Sequence, residues 1–163
     1  MELLDFAIQT ERDAQKVYAQ AADTAKNSAV KRMCQLLHED EKRHEQMLLA
    51  MKKDQTQFLE GDWDQTRNVY SEMLQADRAL IDESDDLGQL LAKAKTMEHT
   101  GADMYQKLAD QLTDPKKKNL ILRLKGEEIK HEKIVENAWE YVSNPATVLE
   151  DPEFLWYGHE NTP

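Results

Sequence analysis

The eight residues HEDEKRHE, 38 to 45, have the composition of a solvated helix surface, yet their neighbours contradict that reading. An apolar stripe at helical spacing begins at Val30, Met33 and Leu37 and resumes at Leu48 and Met51. The positions that carry it through the polar stretch are Glu41 and His44. An acid and an imidazole therefore stand where a buried helix face carries leucines.

The rest of the chain supplies the setting. Its 163 residues suit one domain with a real hydrophobic core. With 40% hydrophobic and 33% charged residues, only 5 Gly and 4 Pro, and long stretches free of both, the composition points to an all-α domain. The formal charge of −11 argues against nucleic acid or an anionic membrane as partner, because both require clustered Lys and Arg, and the run Lys116 to Lys118 is too short to supply them. No apolar stretch approaches the roughly 20 residues of a membrane span, and Met1 to Lys16 lacks the pattern of a signal peptide. A single cysteine, Cys34, excludes an internal disulfide and a CxxC site. The expectation is a cytoplasmic protein.

Four long segments carry a helical apolar period, at about residues 2–26, 28–59, 85–112 and 115–143. Asn27-Ser28 offers a turn and an N-cap, Glu60-Gly61 a stop, and Ser84 another N-cap. Asp114-Pro115 gives an N-cap followed by proline at the first helical position, and Asn144-Pro145 a terminator. Turns this short make the first two helices one antiparallel hairpin and the last two another. The connection over 61–84 is long enough to cross the bundle and carries a shorter helical pattern around Val69 to Ile81. Residues 1–143 thus form a four-helix bundle, and 144–163 a tail whose Trp156 and Tyr157 are expected to cover an apolar groove on the bundle or on a partner subunit.

The hairpins repeat each other. Shifting residues 3–45 by 87 positions without a gap gives 12 identities in 43 positions, among them Glu11 with Glu98, Tyr18 with Tyr105, Glu41 with Glu128 and His44 with His131. The anomaly of the opening stretch therefore occurs four times. Glu11 interrupts the stripe of Leu4, Ile8, Tyr18 and Ala22; Glu98 that of Leu87, Leu91, Ala94 and Tyr105; Glu128 and His131 that of Ile121, Leu124, Val135 and Ala138. Four carboxylates gathered in a core repel one another and lose their hydration, so positive charge must sit among them.

Two divalent cations supply that charge: four glutamates against two M²⁺ give a neutral site. Each histidine, one helical turn after its glutamate, offers a neutral nitrogen. This is the arrangement of di-iron and di-manganese carboxylate bundles, with one Glu from each of two helices and Glu-x-x-His from each of the others. The expected metal ligands are Glu11, Glu41, His44, Glu98, Glu128 and His131. One Glu-x-x-His alone is common on acidic helix surfaces. Two of them, with two single glutamates, all on apolar stripes and related by one shift, are not.

Glu11 with Tyr18 seven residues later, Glu41-x-x-His44, Glu98 with Tyr105 seven later and Glu128-x-x-His131 resemble the ferritin-like di-iron domain of rubrerythrins over about residues 2–143. The ending ENAWEYVSNPATVLEDPEFLWY is similar to the tails of rubrerythrin-related proteins without a second domain. The resemblance implies a ferritin-like four-helix bundle, often a homodimer, whose two iron ions react with hydrogen peroxide or dioxygen; manganese is the other metal the ligands accept. Rubrerythrins proper also hold a rubredoxin-type iron on four cysteines. Cys34 alone cannot build one, so the resemblance implies an external redox protein as electron donor. They also carry a second glutamate one turn beyond the helix-three ligand, where this chain has Gly101. That glycine is expected to mark an open side of the site, with a small space for an oxygen-derived ligand or water.

Tyr18 and Tyr105 read either as hydroxyl partners of the carboxylates across the bundle or as aromatic core residues. His38, His99 and His159 read as surface or boundary residues, and Cys34 as helix packing. The leading expectation is a non-haem di-iron oxidoreductase. An iron-storage protein with ferroxidase chemistry, which requires a cage, and a binding module braced by its metals share the same donor set.

Overall fold

The structure is a computed structural model and describes residues 2–75 and 84–143, with the side chains of Glu2, Tyr70, Leu74 and Gln75 left aside. Among the described residues there are five helices and no strand: α1 (Glu2–Thr24), α2 (Ser28–Lys52), α3 (Trp63–Gln75), α4 (Asp85–Gln111) and α5 (Pro115–Ser143). None is long and apolar enough to cross a membrane. The tail with Trp156, Tyr157 and His159 lies outside the described residues.

Three helix starts are built as the sequence predicts. Asn27 Oδ1 accepts hydrogen bonds from the backbone N–H groups of Ala29 and Val30, at 2.9 and 3.1 Å. Ser84 Oγ accepts from Leu87 N at 3.3 Å, and Asp114 Oδ1 from Lys116 N and Lys117 N at 2.8 and 3.2 Å. Pro115 follows Asp114 as the first helical residue, where its missing N–H costs nothing.

The end of α2 differs from expectation. The sequence extends this helix to about residue 59, whereas it stops at Lys52. Lys53 N bonds to Ala50 O at 3.0 Å, Asp54 N to Met51 O at 3.1 Å and Gln55 N to Ala50 O at 2.9 Å. Asp54 adopts φ 58, a left-handed cap usually given to glycine or asparagine. Phe58 and Leu59 keep the helical period in sequence because they return to the same apolar cluster by another path. The crossing helix likewise begins earlier, at Trp63 rather than near Val69; its expected end near Ile81 lies outside the described residues.

Side-chain pairs between helices fix the topology. Asp5 meets Lys52 and Arg12 meets Glu45, so α1 and α2 are antiparallel. Lys95 meets Glu136 and Gln106 meets Lys125, giving the same relation for α4 and α5. Tyr18 meets Glu98 and Tyr105 meets Glu11, so α1 also runs antiparallel to α4. Consequently α2 ends at one end of the bundle and α4 begins at the other, and the connection through α3 spans its length. This is the ferritin-like arrangement of two hairpins with a long crossover.

The core has two apolar clusters. One contains Val30, Met33, Leu37, Leu91, Val135 and Tyr141; the other contains Ile8, Leu48, Met51, Leu108, Ile121 and Leu124. Along every long helix the residues between them are the glutamates and histidines of the interrupted stripes. The polar layer is thus sealed above and below by hydrocarbon.

Candidate metal centre

Glu11, Glu41, His44, Glu98, Glu128 and His131 are all buried and all belong to this layer. The structure brings together every one of the six residues singled out in the sequence. His44 Nδ1 lies 2.9 Å from Glu128 Oε1, 3.4 Å from Glu41 Oε2 and 3.6 Å from Glu11 Oε2. His131 Nδ1 lies 2.8 Å from Glu41 Oε1 and 3.6 Å from Glu98 Oε2. The two imidazoles stack with centroids 5.4 Å apart and planes inclined by 15°. Donor atoms of Glu41, His44, Glu128 and His131 all fall within 4.8 Å of one another, a grouping able to hold a metal ion.

Tyr18 and Tyr105 resolve into the first of their two readings. The hydroxyl of Tyr18 on α1 donates to Glu98 Oε1 on α4, and that of Tyr105 on α4 donates to Glu11 Oε1 on α1. Each tyrosine occupies one carboxylate oxygen and leaves the other, Oε2, facing the centre. The seven-residue spacing has a simple cause. Two turns of an antiparallel helix pair set a tyrosine of one hairpin level with the glutamate of the other.

Outside the six lies a layer that the sequence reading missed. His44 Nε2 is 2.7 Å from Glu127 Oε2, and His131 Nε2 is 3.3 Å from Asp40 Oδ2. Each histidine of one hairpin is therefore held by an acid of the other, an arrangement that favours a proton on Nε2 and points Nδ1 inward, where a metal ion would take the place of its proton. Arg43 joins the two acids, donating to Glu127 Oε2 at 2.6 Å and to Asp40 Oδ1 at 3.0 Å, and it also donates to Leu59 O at 2.6 Å. Trp63, the first residue of α3, packs against the His131 ring at 5.7 Å between centroids. A signal for the acids was present: Asp40 and Glu127 are also related by the 87-residue shift, as Asp to Glu rather than as an identity.

The electrostatics show what the layer lacks. Burial, then repulsion from Glu41, raises the Glu11 carboxyl to about 8. Burial and the Glu41 charge also raise Glu98, and burial with the charges of Glu11, Glu41 and Glu98 drives Glu128 well above the usual range. Glu41 goes the other way: burial opposes ionisation, but the charge of His44, the neighbouring Glu11 carboxyl and the charge of His131 hold it well below. Burial disfavours charged imidazole, yet the carboxylates around His44 and His131 pull both far above the ordinary value. Alone, the cluster balances its charge with protons. Glu11 Oε2, both oxygens of Glu41, His44 Nδ1, Glu98 Oε2, Glu128 Oε1 and His131 Nδ1 are buried without a hydrogen bond of acceptable geometry. Seven oxygen and nitrogen donors converging in a dry core without hydrogen bonds fit cations with mixed carboxylate and imidazole ligation.

Gly101 lies on the inward face of α4, as expected, but it does not border an empty space. A Cβ at this position would stand 2.5 Å from Glu128 Oε2, so the Glu128 carboxylate takes the room that the glycine leaves. The other two described histidines lie outside the centre. His38 Nδ1 is 2.9 Å from Gln15 O, and the exposed His99 is paired with Glu132 at 3.2 Å. Cys34 is buried in an apolar cluster.

A family model, that of rubrerythrin, matches residues 2–139. The chain belongs to the rubrerythrin family. The matched span takes in α1, α2 and α4, all of α5 but its last residues, and all six residues of the centre, so the family and the geometry describe the same region. Neither a curated protein nor a solved structure matches the chain significantly. Like its family, this rubrerythrin-type bundle encloses a Glu/His cluster suited to metal, while its one cysteine cannot form a rubredoxin-type iron site.

Proposed function

We propose that the protein is a non-haem di-iron oxidoreductase that reduces hydrogen peroxide or dioxygen with electrons from an external donor. The observation that carries this reading is the set of donor atoms without hydrogen bonds, contributed by all four long helices and converging on one buried layer. Glu11, Glu41, His44 and Glu128 would hold one ion and Glu98, Glu41 and His131 the other. Bound iron would supply the redox chemistry.

The chain's own residues do the rest. Asp40 and Glu127 hold each imidazole in the tautomer with its Nδ1 lone pair inward. Tyr105 and Tyr18 fix which oxygens of Glu11 and Glu98 remain free. The flanking apolar clusters exclude water, which strengthens every charge interaction within the layer. Reducing peroxide to two waters consumes two electrons and two protons. The electrons for repeated turnover would come from a redox partner, since the single cysteine here cannot build a four-cysteine iron site.

The test is anaerobic reconstitution with Fe(II), then stopped-flow mixing with peroxide and with O₂ in separate runs. A faster reaction with peroxide, in a protein with the mass of a dimer, is the expected result. Two bound irons inert to both oxidants would overturn the oxidoreductase reading, and a large iron-filled shell would point to storage.

A further inference from the structure

The pseudosymmetry of the two hairpins is broken at one point inside the centre. The residue of α1 related to Gly101 by the 87-residue shift is Ala14, so one hairpin carries a Cβ where the other has none. Glu41 and Glu128, also related by that shift, sit differently. Glu41 lies between the two rings, with Oε1 2.8 Å from His131 Nδ1 and Oε2 3.4 Å from His44 Nδ1. Glu128 reaches only His44, through Oε1 at 2.9 Å. Its Oε2 lies against the α4 backbone, 2.5 Å from where a Cβ of residue 101 would be. No contact between Glu128 and a His131 nitrogen falls within 4.0 Å. His44 Nδ1 is accordingly surrounded by three carboxylates and His131 Nδ1 by two.

We propose that the two cation positions are unequal and that Gly101 is the positioning residue that makes them so. This inference rests on reading the centre as a two-ion site. The position beside His44 draws on Glu11, Glu41 and Glu128; the position beside His131 draws on Glu41 and Glu98. A divalent cation is held more tightly where more carboxylates converge, so the His44 position fills first. The His131 position has fewer protein ligands and is the one left open to a small exogenous ligand. Any side chain at residue 101 would displace Glu128 Oε2 from α4 towards the space between the rings. Because the displaced group is the flexible end of a side chain, the backbone need not move. Glu128 would then serve both positions, as Glu41 does, and the inequality would shrink.

Co(II) added to the metal-free protein reads this out through the visible absorption of the bound ion and through calorimetry. The native chain should bind two ions in steps separated about tenfold or more in Kd, the scale on which loss of one ligating or supporting group acts. His131→Ala should remove the weaker step and keep the tighter one. Gly101→Ala, which favours the helix and so preserves folding, should bring the two steps at least threefold closer together. Ala14→Gly, the related change in the other hairpin, should leave them apart. Two equal steps in the native chain, or an unchanged separation in Gly101→Ala, would overturn the inequality and leave the two-ion reading standing. Failure of Co(II) to bind at all would overturn both.

Discussion

Glu127 shows how much the centre depends on residues that touch no metal. Its carboxyl is held down to about 2: burial opposes its charge, but the bonds from His44 and Arg43 more than compensate. Glu127→Gln would keep the shape and lose the charge that fixes the His44 proton on Nε2. Metal affinity should fall by about 10- to 100-fold with helix content unchanged, as seen by a binding isotherm beside circular dichroism. Asp40→Asn should act in the same direction on the His131 side. Affinities equal to the native chain's in both variants would mean that the imidazoles are oriented by packing alone. Tyr105→Phe tests the opposite contact. It strips Glu11 Oε1 of its donor in a site closed to water, and should cost about 1–3 kcal/mol in denaturant unfolding.

At the scale of the elements, stability rests on the ends of helices as well as on their stripes. Asn27 accepts from two backbone N–H groups at the start of α2 in a turn of three residues, so Asn27→Ala should cost about 1 kcal/mol. A cost near zero would show that the hairpin contacts hold the turn unaided. The other end of α2 offers the reverse effect. Asp54 holds φ 58, a conformation that glycine adopts freely and a β-branched residue resists. Asp54→Gly should raise the melting temperature and Asp54→Val lower it, even though each also removes the exposed contact with Lys117. The two substitutions share that loss, so the difference between them isolates the backbone. Equal melting temperatures would place the strain elsewhere.

For the whole molecule, the polar layer couples folding to both metal and pH. A bound ion at about 1,000 times its Kd adds about 4 kcal/mol, and for a chain of this size chelation should lower Tm by roughly 10 °C. The metal-free protein should also lose stability as pH rises. Glu11, Glu98 and Glu128 have folded-state values above their ordinary ones, so above the ordinary glutamate range the folded state holds protons that the unfolded chain has released, on Glu11 up to about 8. His44 and His131 are raised too; their contribution is complete below the ordinary histidine value and disappears as pH climbs through the folded one. Glu41 and Glu127 are lowered and act in the opposite sense, but only below the ordinary glutamate range. Metal-free protein should therefore melt at a lower temperature at pH 8 than at pH 6, and bound metal should flatten the difference. Melting curves with and without chelator at the two pH values measure it. A metal-free form more stable at pH 8 would mean that the carboxylates are not crowded together.

Local spacing along the chain was enough to place the four long helices, their pairing into two hairpins and the six residues of the centre. Each of these is written in local spacing: apolar periods of 3.6, short turns between capped ends, and a second copy of the pattern 87 residues on. It could not show where α2 ends, because Phe58 and Leu59 continue the period although Asp54 has already turned the chain, and no glycine marks the turn. Nor could it show the purpose of Asp40, Glu127 and Arg43. Their hydrogen bonds join helices that lie more than 80 residues apart, and a polar residue beside a ligand reads in sequence like any solvated one. Gly101 illustrates the same limit. Its place on the inward stripe follows from helical spacing, but its neighbour, Glu128, belongs to a different helix. Periodicity fixes the direction in which a side chain points; only the packing of one helix on another decides what it meets.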